Sequence, residues 1–319
     1  MRLFSSPVGF KIERMMLLSA YQFVDLDRLA LKQADLRAQA KRLGLIGTVV
    51  IAREGINFSL GGSRPQLDDW QAYLAQAHGI DQLVTNFQPV EAVPFLRLRV
   101  RIRPEIITFD PDIQPHHAGT AEHVEPPRWH ALIQDPNVQL VDTRNDNECQ
   151  VGSFAGAQNP HIEKFSEFAE WATRHLDPTR PVAMFCTGGV RCEKAGTHLK
   201  SHGFGEVYQL KGGILNYLQQ IDQDQSLWDG ECFVFDDRIA VDHALKPTDQ
   251  GICAGCRNPV EGLDAHHLPP WDETGQCSIC QQRFSQDKIA GIKERIRQMA
   301  LARERGAKHL GPQGQDQNG

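Results

Sequence analysis

Three short apolar runs, "VQLVD" (138–142), "PVAMFC" (181–186) and "EVYQL" (206–210), constrain the fold of this chain more than any other feature. A strand wet on one face alternates apolar with polar residues. These runs hardly alternate, so they read as strands buried on both faces. Helix-like segments lie between and after them: "IEKFSEFAEWATRHL" (162–176), "CEKAGTHLKSHG" ending at Gly203, and a last helix beyond Gly213. A further helix is expected to begin near Pro127. Buried strands alternating with helices predict a parallel α/β sheet with helices on both faces, over residues 128–222.

The preceding segment reads differently. Over residues 1–109, "LLSAYQF" is a strand and "DLDRLALKQADLRAQAKRLG" a helix with Leu29, Leu36 and Leu43 on one stripe and Gly44 past its end. "GTVVIA" and "INFSLGG" are strands meeting at "REG", a sharp bend around Gly55. "RPQLDDWQAYLAQAHG" is a second helix, and "PFLRLRVRIRPEIITF" a long final strand. Strand, helix, strand, strand, helix, strand is the ferredoxin-like order of an α+β domain. Residues 110–127, with four prolines and no periodicity, are expected to be a linker. From 223 to 319 the chain reads as a polar, cysteine-rich tail with a basic amphipathic helix, "QDKIAGIKERIRQMALARERG", and a disordered end.

Composition closes off some function classes. A length of 319 residues, 40% hydrophobic and 23% charged, suits two or three globular domains. The net charge of −6 gives no global attraction to nucleic acid, so such affinity must come from a local patch. No run approaches 18 apolar residues, and the N-terminus lacks a signal peptide's apolar region, so a cytoplasmic protein without a membrane span is expected. Eight cysteines in a chain of this length do not make a disulfide scaffold. In an intracellular protein they suggest metal ligands and a reactive thiol.

That thiol is Cys186. It ends a buried strand and is followed by Thr187, Gly188, Gly189, Val190 and Arg191 before a helix. The two glycines permit positive φ, and a loop that turns successive N–H groups inward at a helix N-terminus forms an anion nest. Those amides and Arg191 are expected to lower the thiol's pKa. A structural cysteine in a tight turn is the plainer explanation, but that would need neither the glycines nor the arginine. Cys192, at the helix start, either resolves a persulfide or sulfenic acid on Cys186 or simply fills space. Asp142, Arg144 and Glu148 read as structural, holding the turn by a strand-end carboxylate and an ion pair.

"CTGGVR" resembles the six-residue active-site loop of the rhodanese family. "VDTRNDNECQVGSFAGAQNP" before it and "GFGEVYQLKGGILNY" after it resemble that family's flanking elements. The related phosphatases use a loop one residue longer, so this one suits a smaller centre such as a persulfide sulfur.

"FLRLRVRIRP" places Arg97, Arg99, Arg101 and Arg103 at period two, with Leu96, Leu98, Val100 and Ile102 expected in the core. Same-face residues are about 6.6–6.8 Å apart along a strand, close to the phosphate spacing of an extended nucleic acid. Like charges this near repel unless an anion covers them. RNA contact is therefore expected there, against the alternative of a solvated face, and the basic helix would extend the patch. "GTVVIAREGINFSLGG", the basic strand and the rhodanese-like segment together resemble the TrhO family of oxygen-dependent tRNA uridine 5-hydroxylases, over roughly residues 15 to 220. The resemblance implies an acylphosphatase-like N-terminal domain, tRNA as substrate, dioxygen as co-substrate and Cys186 as the essential residue. It also matches Arg53, Glu54 and Asn57 to the N-terminal motif, where turn chemistry and a substrate role both remain open.

Cys253, Cys256, Cys277 and Cys280 form C-x2-C-x20-C-x2-C, which predicts a closed structural zinc site, with an iron–sulfur cluster or redox pairs as alternatives. No flavin or haem motif is present, and no protein partner is inferable. The expected activity is 5-hydroxylation of a tRNA wobble uridine. Sulfur transfer through a Cys186 persulfide, and a non-catalytic RNA-binding scaffold, are the rivals.

Overall fold

A computed structural model describes residues 14–253, 258–260 and 285–305. The N-terminal domain runs β1 (Met15–Phe23), α1 (Leu29–Arg42), β2 (Ile46–Ala52), β3 (Gly55–Ser63), α2 (Arg64–His78) and β4 (Val84–Pro89), the expected ferredoxin-like order. Helix α2 starts where Pro65 sits in its first turn and the Gln66 carboxamide accepts the Ser63 N–H at 2.7 Å; it stops at Gly79, with φ 67°. Strands β4-β1-β3-β2 lie side by side, and one face is dry. Leu18, Val49, Ile51, Phe58 and Leu60 pack there against Leu36 and Ala40 of α1 and Leu67, Trp70 and Leu74 of α2. The other face carries Ser19 and Tyr21 of β1, Asn57 and Ser59 of β3, and Thr48 and Val50 of β2, which the register brings into rows. It is a polar face, and it does not meet solvent alone.

The arginine run is not the sixth element of this domain. That place belongs to Val84–Pro89. The run instead makes a seventh element, β5 (Leu98–Ile102), parallel to β2 at the sheet edge. The long strand expected over 94–109 is therefore five residues, and Ile102, expected in the core, is 39% exposed. The added strand's carbonyls do not all face water: Gln33 and Arg37 of α1 donate to the Val100 carbonyl at 2.8 and 3.0 Å.

In the second domain β6 (Glu122–Val124), α4 (Pro126–Leu132), β7 (Gln139–Asp142), α5 (Asp146–Cys149), β8 (Gly152–Phe154), α6 (Phe168–His175), β9 (Val182–Phe185), α7 (Val190–Ser201), β10 (Val207–Leu210) and α8 (Gly213–Gln220) follow in order. The sheet is β6-β10-β9-β7, parallel throughout, and β7 and β9 are buried at every position. Its two faces hold separate cores, one around Phe165, Phe168, Met184 and Leu199, the other around Trp129, Phe154, Phe185 and Tyr217.

Two boundaries move. The segment expected as a linker contains the short helix α3 (Pro115–Ala118) and strand β6, an edge of the parallel sheet. The expected polar tail begins later than 223. Strand β11 (Trp228–Gly230) pairs with β8, and β12 (Cys232–Phe233) pairs with β13 (Ala240–Val241). Trp228, Cys232, Val234 and Val241 join the second core. Further on, a helix spans Gln286–Glu304, as the basic amphipathic pattern predicts. No helix among the described residues is long and apolar enough to cross a membrane.

The polar sheet face is pressed onto α7. Lys194, with no exposed surface, lies 2.7 Å from the Glu54 carboxylate and 2.5 Å from that of Glu105. Exposed pairs such as Arg64–Asp68 contribute about 0–1 kcal/mol, whereas stripping a partner from a buried pair costs about 3–5 kcal/mol. Replacing Lys194 with Ala leaves two buried carboxylates facing each other. Its unfolding free energy in urea is expected to fall by about 3–5 kcal/mol, while Arg64→Ala stays within about 1 kcal/mol of the parent.

Candidate active site

Cys186 follows the last residue of β9, where a parallel sheet presents its strand ends to the loops, and α7 begins four residues later. The turn between them is closed by Gly189, whose φ of 101° is the left-handed conformation that glycine alone adopts readily. Gly188, expected to share that role, does not take positive φ. The Gly189 N–H donates to the Cys186 sulfur at 3.1 Å. On the loop's other side the N–H groups of Ile214 and Leu215, at the start of α8, donate to the carbonyls of Cys186 and Thr187 at 3.0 and 3.2 Å. A Cβ on Gly213 would lie 2.5 Å from both carbonyls, so the second glycine of "LKGG" is what lets α8 approach the loop. The Thr187 hydroxyl reaches the Phe233 carbonyl at 3.4 Å.

The Cys186 thiol is 1% exposed, and burial alone would push its pKa up. Against that stand a hydrogen bond from the Cys192 thiol, the charge of Arg191, and the backbone N–H groups of Arg191 and Gly189. Together they bring it down to about 6. Cys192 moves the opposite way. Burial, then the bond to Cys186, hold it well above its ordinary value, so it remains a protonated donor at neutral pH. Its other neighbour is the Thr143 hydroxyl at 3.6 Å. Arg191 is not free in the loop: it forms a bidentate pair with Glu148, both contacts 2.7 Å and both groups buried. The Asp142–Arg144 pair at the end of β7 is separate, fully buried, and as expected from the sequence. Glu148 holds that turn as expected, accepting the Asn145 N–H at 3.2 Å, and through Arg191 it also ties the turn to the active-site loop.

These groups floor a cavity of about 660 Å³, within the range of about 300–1,000 Å³ usual for ligand sites. Its floor is Cys186, Thr187, Gly188, Val190 and Arg191. Its facing wall is the polar sheet of the N-terminal domain, with Ser19, Tyr21, Thr48, Asn57 and Ser59. The domains are stitched at its edge: the Tyr21 hydroxyl donates to Glu193 at 2.7 Å, and Glu193 also meets His123 at 3.0 Å. Burial, then the Glu193 carboxylate, hold the Tyr21 phenol well above its ordinary pKa.

The residues matched in the N-terminal motif divide. Asn57 lines the cavity, with its amide near the Ile106 carbonyl at 3.4 Å. Glu54 is buried on Lys194, and Arg53 is exposed, its carbonyl taking the Leu26 N–H. Arg99 and Arg101 pair with Thr48 and Val50, so they share the cavity-facing side of the sheet; Arg97 and Arg103 flank them, Arg103 exposed. Partial burial, then Arg97 and Arg101, press Arg99 below the usual guanidinium range against the opposing pull of the Asp237 carboxylate. Cys256, Cys277 and Cys280 lie outside the described residues; Cys253 is buried, with its N–H on the Asn258 carbonyl. Lys164, Phe235 and Arg238 also line the cavity, and the sequence reading missed all three. Phe235 and Arg238 come from a stretch assigned to the tail, and its run "CFVF" was the signal that could have brought it back into a core.

The UPF0176 acylphosphatase like domain family matches residues 15–106, and the rhodanese-like domain family matches residues 125–220. A tRNA uridine(34) hydroxylase from Rhizobium etli is 41% identical over 295 residues, spanning 91% of this chain and 94% of its own length. The chain belongs to the tRNA uridine(34) hydroxylase family. Among solved structures, a rhodanese-like domain from Anabaena sp. aligns with 34% of the chain and 78% of its own, at 21% identity and a TM-score of 0.29. An acylphosphatase from Coxiella burnetii aligns with 30% of the chain and all of its own, at 14% identity and a TM-score of 0.24.

The thiol pair gives a pH test. The rate of Cys186 alkylation by iodoacetamide is expected to rise with a midpoint near pH 6, because only the thiolate reacts. Cys192→Ala removes a hydrogen-bond donor from the thiolate and should move that midpoint upward. An unmoved midpoint would mean that the two sulfurs do not share a proton.

Proposed function

We propose that this protein hydroxylates C5 of the wobble uridine in tRNA in an oxygen-dependent reaction, with Cys186 as the essential thiolate, and that it does so in the cytoplasm. One observation carries the reading: a low-pKa thiolate on the floor of a cavity whose facing wall, supplied by a second domain, is a polar sheet edged with arginines. A sulfur carrier needs only the loop. A base-modifying enzyme also needs a surface that holds the nucleic acid and a wall that reads the base.

In the route this arrangement favours, the Cys186 sulfur adds to C6 of the uracil. The C5=C6 π pair moves to C5, which becomes an enolate carbon conjugated with the C4 carbonyl. Capture of a hydroxyl-cation equivalent at C5, then loss of the C5 proton and expulsion of the thiolate, returns the enzyme and leaves 5-hydroxyuridine. Dioxygen reduced by two electrons and two protons to the peroxide level, by a reductant of the dithiol class, supplies that equivalent; its other oxygen leaves as hydroxide and takes up the C5 proton as water. The chain's own contributions are the thiolate, the Gly189 N–H and Cys192 thiol that stabilise it whenever it leaves the base, and the side chains that hold the ring. Arg191 would act by keeping the loop closed through Glu148 and by its charge on Cys186. Asn57 and Tyr21 face the base across the cavity. The spacing of Cys253, Cys256, Cys277 and Cys280 supports one structural zinc in the tail.

Cys186→Ser keeps the size of the side chain and removes the thiolate. It is expected to abolish 5-hydroxyuridine in tRNA, read by nucleoside mass spectrometry, with the unfolding midpoint unchanged; full hydroxylation by this variant would sink the assignment. For the substrate surface, Arg99→Gln with Arg101→Gln should weaken tRNA binding and flatten the slope of log K against log salt by roughly one to two, as lost phosphate contacts do. A parental slope would place the RNA surface elsewhere.

A further inference from the structure

At the mouth of the Cys186 cavity the fold holds one aromatic ring in water. Phe235 is 69% exposed, the most exposed of three exposed large hydrophobic side chains among the described residues, with Leu31 and Ile102 the others. It lines the same cavity as Cys186, Asn57 and Arg191. A single exposed hydrophobic residue is ordinary. This one differs because the turn that carries it is pinned on three sides. Between β12 and β13 the Val234 N–H bonds the Ile239 carbonyl at 2.8 Å, and the Asp237 N–H bonds the Pro94 carbonyl at 3.1 Å. Asp236 takes the Arg238 guanidinium at 2.9 and 2.6 Å, and Arg238 reaches on to the Gln88 carboxamide of β4 at 2.9 Å. The Phe233 ring packs against Phe235 near edge-on, centres 5.3 Å apart, and the Arg191 guanidinium carbon is 5.8 Å from the Phe235 ring centre. The ring is thus set in place before any ligand arrives.

We propose that Phe235 is the platform of a nucleobase subsite: an unstacked base of the RNA single strand lies on its exposed face as the target uridine enters the cavity. The inference rests on the RNA-modifying reading above and adds to it a recognition element for the strand. A base has apolar π faces, polar edges and a phosphate on either side. The cavity offers matching groups in that order: the Phe235 ring for the face, Ser19, Thr48, Asn57 and Ser59 for the edge, and Arg99 with Arg101 on the same sheet side for the backbone. Aromatic stacking is how single-stranded bases are held without paired partners. A charged or aliphatic side chain at this position would not give the π face. The other occupant such a ring could take, an apolar side chain of a protein partner, would not distinguish an aromatic platform from an aliphatic one.

The test compares Phe235→Leu, which keeps the apolar character and loses the π face, with Phe235→Trp, which keeps both. For the full chain acting on tRNA, the Leu variant is expected to raise KM at least about fivefold, the low end of what a lost stacked base costs. The Trp variant is expected to stay within about twofold of the parent. The same order should appear in the equilibrium binding of a uridine-containing anticodon stem-loop. Cys186 alkylation and the unfolding midpoint should be parental in both variants. A Leu variant with parental KM and binding overturns the subsite, and so does a Trp variant as impaired as the Leu one, since the ring would then only fill space or dock a protein. If the parent binds the stem-loop but makes no hydroxyuridine, the hydroxylase reading fails while the Leu-to-Trp contrast in binding still judges the platform.

Discussion

The docking of α7 against the N-terminal sheet is the constraint on which the site depends. Three consecutive residues at its start point about 100° apart, as successive helical positions do, and each is claimed by a different neighbour. Cys192 turns inward to Cys186, Glu193 to Tyr21 and His123, and Lys194 to Glu54 and Glu105. A buried lysine between two carboxylates adds little net stability, because desolvation offsets most of the attraction. Its effect is to penalise any placement of the two domains in which those charges do not meet. The position of the cavity wall relative to the thiol follows from that penalty.

Neither domain has the site alone. A ferredoxin-like sheet with helices on one side leaves its other face bare, and here that face carries hydroxyl and amide groups at period two beside Val50. The α/β domain supplies a thiolate stabilised by the Cys192 thiol, the Arg191 charge and backbone N–H groups, but not the hydrogen-bonding wall that faces it. Closing one on the other converts a flat polar sheet and a shallow loop into an enclosed volume with reactive sulfur on one side and hydrogen-bonding groups on the other.

What the sequence made legible was local. The buried strands of the α/β domain, the bend at Gly55 and the loop from Cys186 to Arg191 were read from composition and period, and the structure places them as expected. The misplacements came from long-range pairing. "LVTNFQP" has too little β-branched character to stand out as a strand, yet pairing with β1 makes it the sixth element and displaces the arginine run to an added edge. Residues 122–124 are too short to show a period, and become a strand only because β10 offers an open edge. Turn chemistry and a substrate role stayed open for Glu54 because its partner, Lys194, is 140 positions away in sequence. Phe235 was invisible as a site residue for the same reason: nothing near it in the chain shows that the turn after β12 folds back beside Cys186.

The charge on the loop decides what kind of substrate it can take. An arginine at the end of a cysteine loop ordinarily invites an oxyanion, which two free N–H forks would grip. Here both forks of Arg191 are spent on Glu148, 2.7 Å away on each side. Arg191 and Glu148 cancel, and the ionised Cys186 leaves the floor of the cavity with one negative charge. A phosphoryl group carrying two negative charges would be repelled from that floor, whereas a neutral heterocycle would not. Phosphates are better met away from that floor, on the sheet edge where Arg99 and Arg101 stand, Arg99 with the Asp237 carboxylate nearby. On the proposed reading, the site separates the two halves of a nucleotide: its charge is met at the rim, and its uncharged base is met by the thiolate. That separation follows from the Arg191–Glu148 ion pair, which takes the loop's arginine out of play as an anion grip.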